Sequence, residues 1–246
     1  MYYHLMKKIY LTIIFICLAI YGSAQIDKIK SVKYNLFDSI RTRNVPVDLY
    51  FRTDSSTKAV VIISHGYGLK NIDYSFITKR LVSLGYNVIC IQHDLPTDEP
   101  LARDGNIYEL RKPVWDRGVS NMNFAISKLH GIYKQWDFNN LILIGHSNGG
   151  DISMLFCSRY PNLIDKVITL DNLRMPIPRI KQPMILSIRA NDTKADDGVL
   201  PSTEEQKDFN IRIIDLQGKH NDFCDNGDAA LKQSIILEIV KFLKYY

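Results

Sequence analysis

Two kinds of hydrophobic pattern divide this chain. In residues 29–37 and 45–51 apolar and polar positions partly alternate, which predicts half-buried antiparallel strands. Further on, short apolar runs recur at 59–64, 86–92, 141–145, 167–170, 184–188 and 210–216. Runs of that length rich in Val, Ile and Leu predict strands covered on both faces, as in a parallel sheet. Between them the apolar residues return at helical spacing. Residues 74–84 place Phe76, Ile77, Leu81 and Leu84 on one face, and Gly85 closes the helix. A long helix is expected after Pro113, another over 148–160 and a final amphipathic one over 229–243. Ser202-Thr203-Glu204-Glu205 spells a capping box that opens a short helix. Strands alternating with helices predict an α/β domain, a parallel sheet wrapped on both faces with two N-terminal strands antiparallel. No repeat or linker divides residues 25–246, so one domain is expected there. Residues 93–112, polar and proline-containing, form the longest irregular segment, next to the strand ends where α/β sheets bind ligands.

The junction at Leu141-Ile142-Leu143-Ile144-Gly145-His146-Ser147-Asn148-Gly149-Gly150 organises the rest. A strand-length apolar run ends at Ser147 and a helix-compatible stretch follows at once. G-x-S-x-G in that setting is a nucleophile elbow, a turn tight enough to strain the serine backbone and raise its hydroxyl above the sheet edge. Gly145 and Gly149 stand where a Cβ would strike the neighbouring backbone. Ser147 is therefore the candidate nucleophile.

The composition, 46% hydrophobic and 23% charged, is that of a globular chain. Its beginning differs. Lys7-Lys8, an apolar run over 9–20 and Gly22-Ser23-Ala24 predict a signal peptide over 1–24, cut after Ala24, and hence a periplasmic or extracellular protein. That run is short for a bilayer span, so no stable membrane anchor is expected. The formal charge falls from +5 to +3 on cleavage, because Lys7 and Lys8 leave and no acid does. No basic run interleaved with aromatics suggests a nucleic-acid partner. Cys90, Cys157 and Cys224 remain, an odd and scattered set that is not a disulfide framework; one bridge is left open. No C-x-x-C pair is present, and Asp222, Asp225 and Asp228 do not match a calcium loop. They read as turn and helix-cap residues, and neither metal nor cofactor is expected.

A serine needs a base to take its proton and an acid to orient that base. Of six histidines only His220 follows Ser147, in a Gly-Lys-His loop between the last strand and the last helix. The acid is less determined. Asp151, Asp165, Asp208 and Asp215 sit on helices, within a strand or ahead of one, and Glu204 and Glu205 fit a helix first turn. Asp192 is favoured because it falls just past the strand at 184–188, with Asp196 and Asp171 as alternatives. An oxyanion needs donors as well. The backbone N–H of Asn148 and that of Tyr67, in His65-Gly66-Tyr67-Gly68 after strand 59–64, are the candidates. His65 and His146 flank the site and read as turn-shaping residues.

HGYG after one strand, GHSNG after another, an acidic loop and GKH before the last helix together resemble the α/β-hydrolase superfamily over nearly all of residues 25–246. The resemblance implies an eight-stranded, mostly parallel sheet with helices on both faces and cofactor-free Ser-His-Asp chemistry. It also implies a small-molecule ester as substrate, with amide or peptide cleavage, acyl transfer to an alcohol, or mere binding as alternatives. Many such proteins insert a helical cap after the strand ending near Asp171. Only residues 172–183 lie there, so no cap domain is expected. Substrate identity, acyl length and oligomeric state are not set by these motifs.

Overall fold

The computed structural model describes residues 28–245. The expected signal peptide lies outside the described residues. Eight strands form one sheet: β1 (Ile29–Asp38), β2 (Arg43–Arg52), β3 (Ala59–Ser64), β4 (Asn87–Ile91), β5 (Asp137–His146), β6 (Ile164–Leu170), β7 (Met184–Arg189) and β8 (Ile211–Asp215). Their order is β1-β2-β4-β3-β5-β6-β7-β8. The six strands from β3 to β8 are parallel, while β2 pairs antiparallel with both β1 and β4.

The helices are α1 (Ser75–Ser83), α2 (Ile107–Ile132), α3 (Asn148–Arg159), α4 (Thr203–Asp208) and α5 (Ala229–Tyr245). The unbroken apolar strands have a direct cause. Val60, Ile62, Leu141 and Leu143 pack with Trp115 and Val119 of α2 and Ile152 and Phe156 of α3. The alternate residues Val61, Ile63, Ile142 and Ile144 pack with Leu81 of α1 and Ile235, Ile239 and Phe242 of α5. With helices on both faces, neither strand face can be polar. On β1 only alternate residues, Val32, Tyr34 and Leu36, reach the core, as its alternating sequence predicts.

Two expectations are corrected. The long helix starts at Ile107 rather than after Pro113, with the Asn106 side chain accepting from the Glu109 N–H. Pro113 removes one bond to the Glu109 carbonyl, and both residues are exposed, so water can replace it. The irregular segment therefore ends at 106. It is pinned by ion pairs, Arg43 gripping Asp98 through two nitrogens at 2.7 and 2.6 Å and Arg117 reaching Asp94 at 3.0 Å. Second, of the Asp222–Asp228 carboxylates, Asp228 caps α5 as expected, but Asp225 accepts from the Ser75 and Phe76 N–H groups and caps α1. That bond ties the turn after His220 to the helix that follows the HGYG loop.

Residues 172–183 cross from β6 to β7 without helix or strand, so no cap domain stands over the strand ends. Cys90, Cys157 and Cys224 are all buried and unpaired.

Candidate active site

Ser147 sits between β5 and α3 with φ 51° and ψ −120°, a region L-residues avoid. Its N–H donates to the Leu170 carbonyl at 2.9 Å and its carbonyl accepts from the Asp151 N–H at 3.0 Å, so both neighbours hold the turn. A Cβ on Gly145 would lie 2.3 Å from the Gly149 carbonyl oxygen, and one on Gly149 would lie 2.2 Å from that of Ser64. The elbow can close only because both residues are glycine.

The turn aims Ser147 Oγ at His220, whose Nε2 is 2.8 Å away. His220 Nδ1 is 2.6 Å from Asp171 Oδ2. The structure thus brings Asp171 to the ring, where the sequence reading favoured Asp192. The reason lies in the sheet. β6 and β7 run parallel and in register, Leu170 beside Ile188, so the residues after both strands emerge together at one edge. Asp171 then turns with φ 56° while its N–H bonds the Ile188 carbonyl at 2.8 Å, which swings its carboxylate beneath His220. Asp192 is exposed and accepts from the backbone N–H of His220 at 2.7 Å. Asp196 pairs with Arg174. Asp171 directly follows a buried strand and is a residue type that tolerates φ > 0, which is the signal that favours it.

The Asp171 carboxylate is fully buried. Its Oδ1 accepts from the Ala190 N–H at 3.2 Å and from Arg189 at 2.7 Å, and its Oδ2 also accepts from the Thr193 hydroxyl. Burial by itself would raise its pKa; the bonds from His220 and Thr193 and the Arg189 charge outweigh burial, and the group lies below its ordinary value. It is therefore ionised at neutral pH.

The two candidate oxyanion donors flank the serine. Neither the Tyr67 nor the Asn148 backbone N–H has a hydrogen-bond partner among the described residues. Loop 66–69, Ser147 and the turn from His220 to Asn226 enclose a cleft of about 230 Å³.

His146, read from sequence as a turn-shaping residue, joins these parts. Its Nε2 is 2.9 Å from the His220 carbonyl oxygen, which can only accept, so the proton is on Nε2. Its Nδ1 therefore accepts from the Tyr74 hydroxyl at 2.8 Å, and that oxygen accepts from the Gly66 N–H at 2.9 Å. Burial, then the nearby His220 ring, lower the His146 pKa to about 3, so it stays neutral. His65 also holds a turn, its Nε2 accepting from the His93 N–H at 2.9 Å and its Nδ1 donating to the Gly66 carbonyl.

The eight-stranded, mostly parallel sheet with helices on both faces is the fold that the sequence resemblance implied. The chain has the α/β-hydrolase fold. A family model described as serine aminopeptidase, S33, matches residues 55–171, from ahead of β3 to Asp171. Solved α/β-hydrolase structures superpose on most of the chain. A CIB-like hydrolase from Thermoplasma acidophilum is similar at TM-score 0.58 and 16% identity, over 88% of this chain and 100% of that one. A ferulic acid esterase from Streptomyces cinnamoneus gives 0.56 and 18%, over 80% and 75%. A dienelactone hydrolase from Anabaena variabilis gives 0.59 and 13%, over 88% and 98%. At these identities the likeness is one of fold. No curated protein sequence matches. Among the described residues, no group of His, Cys, Asp and Glu has the arrangement of a metal site.

Proposed function

We propose that this protein is a serine hydrolase that cleaves carboxylic esters of small or medium acyl groups through an acyl-enzyme. The observation carrying this reading is the 2.8 Å approach of Ser147 Oγ to His220 Nε2, with Asp171 on the far side of the ring. Ser147 attacks the ester carbonyl while His220 takes its proton, and the ionised Asp171 steadies the imidazolium. The free amides of Tyr67 and Asn148 hold the oxyanion. The alcohol leaves with the proton from His220. Water then gives a proton to His220 as its oxygen attacks the acyl carbonyl, and the Ser147 ester bond breaks, releasing the acid while His220 returns the proton to Ser147 Oγ. The sheet edge stays open without a cap, so discrimination falls to loop 92–106 and the residues on its rim.

The second reading, amide or peptide cleavage, is favoured by the similarity to the serine aminopeptidase family model. A fluorophosphonate probe tests the shared chemistry: labelling at Ser147 that vanishes in Ser147→Ala is expected, and a folded protein that takes no label would make this a binding protein. Short 4-nitrophenyl esters beside aminoacyl-arylamides separate the two enzymatic readings. We further propose export with cleavage after Ala24, on the strength of the leader pattern; mass analysis of the mature N-terminus tests it.

A further inference from the structure

Helix α2 lays one face over the nucleophile turn. Trp115 donates from Nε1 to the Asn148 side chain at 2.9 Å, and Tyr108 packs against Trp115 with ring centroids 5.4 Å apart. Arg111 lies one turn ahead of Trp115 on the same face of α2. It is fixed there: Nε donates to the Ala102 carbonyl at 2.8 Å, and the adjacent Leu101 N–H bonds the Tyr67 hydroxyl at 3.1 Å. Its two terminal nitrogens have no hydrogen-bond or ion-pair partner among the described residues.

Arg174 comes from the segment after Asp171, which meets the start of α2 where the Tyr108 hydroxyl lies 3.9 Å from Met175 Sδ, and its backbone N–H is held by Asp151 Oδ1 at 3.0 Å. Asp196 pairs with Arg174 alone. Burial, and then the Arg174 charge, lower the Arg111 pKa below its ordinary value, against the opposing charges of Asp151 and Asp196. Two arginines thus come from segments that meet at the start of α2, and the fork of Arg111 is unused. Such a fork matches the two oxygens of a carboxylate.

We infer that the site takes esters bearing a carboxylate, recognised outside the cleft by Arg111 with Arg174, on the side where α2 meets the nucleophile turn. The inference rests on the hydrolase reading above and gives it a substrate class. A free amine, the group an aminopeptidase substrate presents, meets the wrong charge there.

The test uses matched 4-nitrophenyl and acetoxy esters. Mono-4-nitrophenyl adipate is compared with its methyl ester, which carries the charge on the acyl side. 4-Acetoxybenzoate is compared with methyl 4-acetoxybenzoate, which carries it on the leaving group. In at least one pair kcat/KM favours the anion by about 10- to 100-fold, the range of a charge-assisted hydrogen bond. That preference collapses in Arg111→Gln, is partly kept in Arg111→Lys, and shrinks with added salt; Arg174→Gln, with its fold checked by thermal melting, weakens it too. A protein labelled at Ser147 that treats both members of each pair alike, or turns over none of them, overturns the inference alone. So does a preference that survives in Arg111→Gln. A folded protein that is not labelled overturns the hydrolase reading instead.

Discussion

Asp192 holds the backbone of His220, not its ring: the carboxylate accepts the His220 N–H at 2.7 Å, while Asp171 receives Nδ1 at 2.6 Å. Two acids converge on one histidine and do different things. One fixes where the residue sits, the other its tautomer and charge.

The two roles separate by mutation. Asp171→Asn is expected to lower kcat by about 10³- to 10⁴-fold, because the amide no longer stabilises the imidazolium or selects its tautomer. Asp192→Asn keeps an acceptor for the His220 N–H at an exposed position, so the loss is expected to stay within about tenfold. Steady-state kinetics on one ester decide it, and the opposite ranking would return the acid role to Asp192.

Buried Asp151 gives a pH signature. Its pKa is raised by burial to about 6, from an ordinary carboxylate value near 4, with backbone N–H groups of Met175 and Arg174 only partly offsetting that. The folded state therefore binds the extra proton between these values, and the stability linked to it is present below pH ~4 and lost as pH rises through ~6. Asp151→Asn should match the wild type in thermal stability near pH 4 and exceed it at pH 8 by on the order of 1–3 kcal/mol. Equal melting differences at both values would contradict the assignment.

Tyr74 is the middle of the relay from Gly66 to His146. Tyr74→Phe leaves a buried N–H and a buried ring nitrogen without partners, a loss of about 1–3 kcal/mol. Thermal melts should drop by several degrees and kcat should fall with little change in KM, since the His220 loop loses its anchor. A melt and kcat indistinguishable from wild type would remove the relay from the account.

At the elbow, Gly149→Ala forces a Cβ to 2.2 Å from a backbone oxygen that cannot move without parting β3 from α3. Destabilisation of about 3 kcal/mol or more is expected, read as loss of soluble protein or of the thermal transition. A soluble variant with a near-normal melt would show that the turn is looser than this geometry.

The sequence alone determined what depends on near neighbours in the chain. Six apolar runs, each too short for a helix and too apolar for a surface strand, announced the parallel sheet. Ser147 was legible because a strand, a glycine-flanked turn and a helix must follow one another within ten residues, and His220 because no other histidine comes after it. The capping box at Ser202 formed as written, with Ser202 and Glu205 exchanging bonds. What the tertiary structure alone decided depends on which distant backbones lie side by side. Asp171 prevailed over Asp192 because β6 and β7 end abreast and a left-handed turn at Asp171 points its carboxylate inward, a rotation no spacing rule encodes. Asp225 reached α1 from some 150 residues away for the same kind of reason. Arg111 joined α2 and met the Ala102 carbonyl only because the helix starts at Ile107, six residues before a proline whose missing bond faces water. Local pattern fixes the elements, because backbone hydrogen bonding and burial periodicity are properties of short segments; partner choice at the strand ends is set by through-space distance, which exists only once the sheet has assembled.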